Sequence, residues 1–114
     1  TVTLFEVCFV LGWLFGGGEI AQLDLVKKAA YHLGIAFQIA DDVLDVEGDA
    51  AEVGKAVGKD ADAGKATFVT LLGLQGAKDR AAELVAEACD RLSCYGDEAE
   101  TLKEAARFVI ARRK

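Results

Sequence analysis

The chain has 114 residues, which is enough for one small domain with a hydrophobic core. Its composition is 53% hydrophobic and 28% charged with no Pro, which is typical of a helical globular chain and not of a disordered one. The formal net charge of -6 argues against nonspecific nucleic-acid binding, because that requires Lys and Arg to neutralise phosphates. An acidic chain suits a protein that recruits divalent cations.

The cysteines and the hydropathy of the chain indicate where in the cell the protein is expected. Cys8, Cys89 and Cys94 do not make an even set for disulfides, and no CxxC spacing occurs. We therefore expect reduced thiols and a cytoplasmic location. No membrane span is expected, because the uncharged apolar stretch near the start is too short for a bilayer. The chain contains no Met, so we expect it to be part of a larger protein.

Hydrophobic periodicity predicts the first two helices. Residues 2–15 are apolar on nearly every face, which predicts a helix buried in a bundle larger than this chain. Three glycines at 16–18 are expected to end that helix. A long second helix is predicted over 19–46, where apolar or small residues recur at helical spacing, and it is expected to stop near Gly48.

The second half of the chain is predicted to be a loop followed by further helices. Residues 47–64 are rich in Gly, Asp and Lys, and a loop of this length is often functional. A helical region is predicted from about residue 65 to residue 93, with breaks at Gly73 and Gly76, and a last helix over 98–112. No strand shows clean alternation, so the predicted fold class is all-α.

An acidic cluster, Asp41, Asp42 and Asp45, is predicted at the C-terminal end of the second helix. Asp41 and Asp45 are four residues apart and share one helix face. The helix dipole disfavours anions at this end, and such local conflicts tend to mark functional positions. Hard oxygen ligands favour Mg2+, with Mn2+ possible. The pattern alone is equally compatible with a solvated acidic helix end.

The sequence around the cluster favours the cation site. The preceding turn, residues 34–40, is almost wholly apolar, so the cluster emerges from a buried helix. The Gly-rich loop that follows carries Lys55 and Lys59, and Lys65 comes just after it. Carboxylates that hold Mg2+, together with lysines that meet phosphate, are the combination that a diphosphate requires. For Lys59 a solvated loop position is the simpler interpretation.

These residues carry a family resemblance. Residues 37–45 read FQIADDVLD, which resembles the second aspartate-rich motif of farnesyl and geranylgeranyl diphosphate synthases of the trans-isoprenyl diphosphate synthase family. The similarity continues through GKD at 58–60 and GKAT at 64–67 to the basic end ARRK at 111–114. It implies a helical bundle of the isoprenoid-synthase type, with residues 1–114 as the C-terminal part of a polyprenyl synthetase domain.

The resemblance implies an activity and a cofactor. The family joins isopentenyl diphosphate to an allylic diphosphate, and a short-chain member gives a C15 or C20 product. The reaction uses Mg2+, which Asp41 would bind directly. Asp42 and Asp45 match the rest of the motif, with Asp45 acting through water. Asp41, Asp42 and Lys55 are therefore the expected catalytic residues.

The substrate-binding residues are likewise implied by matching positions. Gln38 matches a residue beside the allylic substrate, and Phe37 matches one near the isopentenyl chain. Lys55 and Lys65 match lysines at the allylic diphosphate. Thr1 falls where the family has the Thr of a Lys-Thr pair.

The family uses two aspartate-rich motifs on facing helices, and this chain contains the second. The resemblance therefore implies a missing N-terminal half, an isolated chain that does not catalyse, and the homodimeric assembly usual in the family. Two alternatives remain. One is a noncatalytic regulatory subunit of a heteromeric synthase, against which the intact acidic motif counts. The other is a generic helical interaction domain with a solvated acidic turn.

Overall fold

The computed structural model describes residues 1–51 and 67–113. Over these ranges the chain forms four α-helices: α1 (Val2–Phe15), α2 (Leu23–Ala51), α3 (Phe68–Leu92) and α4 (Glu100–Ala111). Short 3-10 helices, Ile20–Gln22 and Ser93–Ala99, precede α2 and α4. These ranges contain no strand, so the predicted all-α class is confirmed. None of the helices described is both long and apolar enough to cross a membrane.

The core lies between α2 and α3, which form the most extensive helix pair described. Ala36 on α2 and Ala77 on α3 have no exposed surface, which lets the two helix backbones approach closely. Larger apolar side chains fill the surrounding space, and Ile39 among them is fully buried. The buried cluster consists of Leu33, Ala36, Ile39, Val43, Ala77, Ala81, Leu84, Val85 and Ala106.

Helix α1 packs along α2 but buries none of its residues completely. Gly34 permits the close approach, since a Cβ at that position would lie 3.1 Å from the Cα of Val2. Phe5 and Phe9 pack against the core from this side. On the outer face, Phe15 is 88% exposed. The predicted helix is present, but its outer apolar face has no covering element in the part of the chain that the structure describes.

The turn after α1 is organised by Trp13. Gly17 has a φ of 83°, a conformation that favours glycine. Gly18 lies under the indole ring of Trp13, where a Cβ would overlap the ring atoms. The indole Nε1 donates a hydrogen bond to the carbonyl oxygen of Glu19 at 2.8 Å. The predicted end of the first helix at the glycines is therefore confirmed.

Two predicted boundaries in the middle of the chain are corrected. Helix α2 continues through Gly48 to Ala51, so the predicted stop near Gly48 is wrong. A glycine inside a helix costs about 1 kcal/mol, and the helix accommodates this cost at Gly48. Gly73 breaks α3 with a φ of 77°, as predicted, whereas Gly76 stays helical and its predicted break is wrong.

His32 links α2 to α3. Its Nε2 lies 2.8 Å from a carboxylate oxygen of Glu87, and its Nδ1 lies 2.7 Å from the carbonyl oxygen of Lys28. The side chain is 17% exposed. Both ring nitrogens therefore contact groups of the two helices, and the side chain joins α2 to α3.

The α2–α3 contact predicts a large cost for truncating its most buried large side chain. Ile39→Ala is expected to lower the free energy of unfolding by about 2–5 kcal/mol, because it leaves a cavity in a close-packed core. Ile20→Ala is the control, since Ile20 is 75% exposed, and it should change that free energy by less than about 0.5 kcal/mol. Urea unfolding followed by circular dichroism measures both. Equal destabilisation by the two variants would contradict this assignment of the core.

Candidate cation and diphosphate site

The acidic cluster lies on α2 beside the face that packs in the core. Ala40 and Val43 are buried, whereas Asp41, Asp42 and Asp45 are partly exposed. Helical periodicity explains this placement, because residues next to Ala40 and Val43 in sequence lie about 100° round the helix axis from these buried positions. Since α2 extends to Ala51, the cluster lies more than one turn before the helix end. The penalty expected from the helix dipole is therefore smaller than the sequence suggested.

Asp41 forms an ion pair with Arg112, the residue that follows α4. Nη2 of Arg112 lies 2.6 Å from Oδ1 of Asp41. The Arg112 side chain is 13% exposed and that of Asp41 is 45% exposed. A short charge-assisted hydrogen bond with one well-buried partner is stronger than a typical surface ion pair. The cluster thus receives positive charge from a residue 71 positions further along the chain.

Arg112 also covers the aromatic ring of Phe37. The Cζ atom of Arg112 lies 4.3 Å from the centroid of that ring, which is cation–π geometry. The Phe37 ring in turn packs on Phe5 of α1, with centroids 5.3 Å apart. Helices α1 and α2 and the end of α4 therefore meet at Phe37. The basic end at 111–114 was noted through the family resemblance alone. No local sequence pattern predicts that Arg112 pairs with Asp41.

Asp42 connects α2 to the start of α3. Its Oδ2 accepts a hydrogen bond from the backbone N–H of Phe68 at 3.1 Å, and its Oδ1 accepts one from Nε2 of Gln38 at 3.4 Å. The first amides of a helix have no intrahelical acceptor, so the carboxylate supplies one and also complements the helix dipole. Thr67 caps the same helix by accepting from the N–H of Thr70 at 3.1 Å. Both oxygens of Asp42 are therefore engaged within the protein.

The donor set fits part of a magnesium site. Asp41 and Asp45 lie on one helix face, and Mg2+ usually takes one or two carboxylates with water completing its shell. The guanidinium of Arg112 shows that a cation is accommodated next to Asp41. Residues 1–51 and 67–113 contain no group of three or more His, Cys, Asp or Glu side chains arranged to hold a metal ion. These residues can therefore provide one side of a cation site, and Mg2+ stays a prediction.

The other predicted site residues are placed as follows. Thr1 is exposed at the start of α1, where its carbonyl oxygen accepts from the N–H of Phe5 at 3.1 Å. Lys55, Lys59 and Lys65 lie outside the described residues. The roles predicted for Thr1, Lys55 and Lys65 at the diphosphate stay predictions.

A groove of about 720 Å3 adjoins the cluster. Ala40 and Leu44 on α2 form part of its apolar wall, and Arg112 lies at its edge. Its polar side includes an ion pair in which Nζ of Lys78 lies 2.9 Å from Oε2 of Glu47. Both of these side chains are about 40% exposed, so the pair adds little stability. The groove thus combines apolar surface with charged groups, and Arg112 at its edge pairs with Asp41.

A second cavity, of about 660 Å3, has a mainly apolar lining and lies between α1 and the segment before α4. Trp13 and Tyr95 pack in it with ring centroids 5.2 Å apart. The Tyr95 hydroxyl donates to Oε1 of Gln22 at 3.0 Å. Burial, and secondarily the neighbouring Cys94, raises the pKa of Tyr95, so this hydroxyl stays protonated at neutral pH. The lining offers packing surface and no acidic cluster.

Comparison with known proteins assigns the family. A family model described as polyprenyl synthetase matches residues 1–107. The chain belongs to the polyprenyl synthetase family. Geranylgeranyl pyrophosphate synthase 11 of Arabidopsis thaliana, a protein named as chloroplastic, is 37% identical over 113 residues, which cover 98% of this chain and 32% of that protein. Farnesyl diphosphate synthase of Haemophilus influenzae is 46% identical over 88 residues, covering 77% of this chain and 30% of that protein.

A solved structure agrees with this assignment. The apo crystal structure of an FPP/GFPP synthase from Zymomonas mobilis has a TM-score of 0.78 and 39% sequence identity, covering 96% of this chain and 34% of that chain. The resemblance carried by residues 37–45 is thereby confirmed, as is the helical fold of a prenyl synthase. The polyprenyl synthetase chain described here spans about a third of the length of the relatives that it matches.

The contacts of Asp42 predict that it contributes to stability and that Asp45 does not. Asp42→Ala should lower the free energy of unfolding by about 1–2 kcal/mol, because the first amide of α3 loses its acceptor. Asp45→Ala should leave that free energy unchanged or raise it slightly, since it removes repulsion between like charges. Urea unfolding of the two variants provides the comparison. If Asp45→Ala destabilised the fold as much as Asp42→Ala, the structural role given to Asp42 would be wrong.

Proposed function

We propose that the protein containing this chain is a short-chain prenyltransferase that joins isopentenyl diphosphate to an allylic diphosphate, giving a C15 or C20 product. The observation that carries the proposal is the placement of Asp41 and Asp45 on one face of α2, with Phe37 one turn before Asp41, in a chain of the polyprenyl synthetase family. The matched relatives named as farnesyl and geranylgeranyl synthases support the substrate class.

The chemistry assigns distinct tasks to the residues of this chain. The bond between the allylic carbon and a diphosphate oxygen breaks, the double bond of isopentenyl diphosphate forms a new carbon–carbon bond, and a proton leaves. Bound Mg2+ would supply charge stabilisation of the departing diphosphate. Asp41 and Asp45 would hold the cation. Lys55 and Lys65 would meet the diphosphate oxygens with charge-assisted hydrogen bonds.

Other residues would shape the site around the reacting groups. Phe37 presents an aromatic face beside Asp41, which suits an apolar prenyl chain and helps exclude water from a reactive cation. Gln38 lies one turn before Asp42 and donates to it, so it holds the second carboxylate of the motif in place. Asp42, through the amide of Phe68, positions the start of α3. In this proposal Asp42 holds the start of α3 beside the cation that Asp41 and Asp45 would bind.

The proposal extends to parts of the protein beyond this chain. Because the chain spans about a third of the length of its relatives, the first aspartate-rich motif and the other half of the site are proposed to lie in the same protein. A homodimer is proposed as the assembly. The free thiols of Cys8, Cys89 and Cys94 support a reducing compartment such as the cytoplasm. Some plant relatives are named as chloroplastic or mitochondrial, and these names do not favour the cytoplasm.

Prenyl transfer by the intact protein is the direct test of this proposal. With labelled isopentenyl diphosphate, geranyl diphosphate and Mg2+, the intact protein should give a longer prenyl diphosphate, and a chelator should abolish the product. Asp41→Ala should lower turnover by about 100-fold or more, because a cation ligand is lost. Asp79→Ala, which removes one acidic side chain from the exposed part of α3, is the matched control and should retain turnover.

The same assay separates the alternatives. The isolated 114-residue chain is expected to give no product, since the other half of the proposed site would lie in the rest of the protein. Product from the isolated chain, or full turnover by Asp41→Ala, would contradict the proposed division of the site. An intact protein that binds Mg2+ and diphosphate but never turns over would point to a regulatory subunit instead.

A further inference from the structure

We propose that Glu87 exchanges partners with pH. It binds His32 of α2 when that side chain is protonated, and it binds Arg91 of its own helix when His32 is neutral. The exchange makes the attachment of α2 to α3 at this point sensitive to pH. It involves none of the residues assigned to the cation and diphosphate site, so it stands independently of the proposed function.

The hydrogen bonds of His32 require a proton on each ring nitrogen. Nδ1 lies 2.7 Å from the carbonyl oxygen of Lys28, and Nε2 lies 2.8 Å from Oε2 of Glu87. A carbonyl oxygen and an ionised carboxylate act only as acceptors. A neutral imidazole carries one N–H, whereas an imidazolium carries two. The arrangement in the structure is therefore that of a protonated His32.

Arg91 offers Glu87 a second partner. It lies four residues after Glu87 on α3, so the two side chains share one helix face. Its Nε is buried and has no hydrogen-bond partner among the residues that the structure describes. A buried donor without an acceptor is unfavourable, so the guanidinium would gain from a carboxylate. An acidic residue four positions before a basic one is also the favourable order for an ion pair on a helix.

The protonation of His32 decides which partner Glu87 takes. When the ring loses one proton, one of its nitrogens becomes an acceptor that faces an oxygen. The Lys28 carbonyl is fixed in the backbone of α2, whereas the Glu87 side chain is 48% exposed and can move. The neutral ring is therefore expected to keep its proton on Nδ1, and Glu87 is expected to leave Nε2. A partly exposed ion pair contributes little stability, so the exchange is reversible.

The direction of the pH effect follows from this exchange. The contact between His32 and Glu87 stabilises the attachment of α2 to α3 while His32 is protonated. That stabilisation is lost as pH rises through the range of about 5 to 8, in which histidine changes its charge.

The surroundings of the His32 ring contain few other charged groups. Among the described residues, Glu87 of α3 is the one charged side chain that bonds to the ring. Tyr31 of α2 packs edge-on against it, with ring centroids 6.0 Å apart. Lys28, one turn before His32, places a cation on the same helix. Within the described ranges, α1, α4 and the 3-10 helices contribute no hydrogen bond or ion pair to this ring.

Nuclear magnetic resonance of the 15N-labelled intact protein between about pH 5 and pH 8 tests the exchange. His32 and Arg91 are assigned from the variants His32→Gln and Arg91→Lys. At low pH both ring nitrogens of His32 should be protonated, and at high pH only Nδ1 should be. The Nε resonance of Arg91 should shift with the same midpoint as the ring, because the guanidinium gains the carboxylate. A neutral ring protonated at Nε2, or an Arg91 resonance that does not change with pH, would overturn the inference.

Two variants separate the exchange from a general effect of pH. Glu87→Gln removes the charge that His32 and Arg91 share, so the Arg91 resonance should stop responding to the titration of the ring. Glu83→Gln is the matched control, since it removes the same charge one turn earlier on α3 from a residue that is paired with Arg80 at 3.0 Å. It should keep the wild-type response. An Arg91 response that persists in Glu87→Gln would show that another group causes it, and the inference would be wrong.

Urea unfolding provides a readout of the attachment between the helices. The urea midpoint of wild type should exceed that of His32→Gln at about pH 5, and the difference should shrink towards pH 8 as the contact with Glu87 is lost. A difference that stays constant over this range would contradict a pH-dependent attachment of α2 to α3.

Discussion

Close packing of α2 against α3 determines where the other described elements lie. Ala36 and Ala77 have no exposed surface, and the short side chains allow the two helices to share a tightly packed core. One face of α2 is buried against α3, so the charged residues of α2 lie on the adjacent face, which is partly exposed. Asp41 and Asp45 are placed there, at the boundary between core and surface. The geometry of the candidate site is thus a consequence of how α2 packs.

Residues far along the chain supply the hydrogen-bond donors and the positive charge that stabilise the carboxylates of the acidic cluster. Asp42 accepts a hydrogen bond from the first amide of α3, and Asp41 pairs with the guanidinium that follows α4. Each carboxylate therefore joins α2 to a different helix. We propose that the same cluster also holds a cation, so these carboxylates would contribute both to the described fold and to the site.

Local sequence patterns predicted most of the helices, but they did not predict the contacts between residues that are far apart in the chain. Short sequence segments were enough to predict three features: the apolar repeat along α2, the glycine turn after α1 and the acidic cluster. The structure contains each of them. The continuation of α2 through Gly48 was missed, because a glycine can either end a helix or lie inside it at a cost of about 1 kcal/mol, and no local pattern distinguishes the two outcomes here. The partners of Asp42 and Asp41 lie 26 and 71 residues away, and no spacing rule reaches that far.

Binding of inorganic diphosphate is the measurement that tests the central claim most directly. Calorimetric titration of the intact protein should show diphosphate binding with Mg2+ present and none in excess chelator, because cation and carboxylates together form the site. Replacement of both Asp41 and Asp45 by Asn should abolish the Mg2+-dependent signal, whereas Asp79→Asn should retain it. Diphosphate binding of equal strength in chelator, or an unchanged signal in the double variant, would contradict the account.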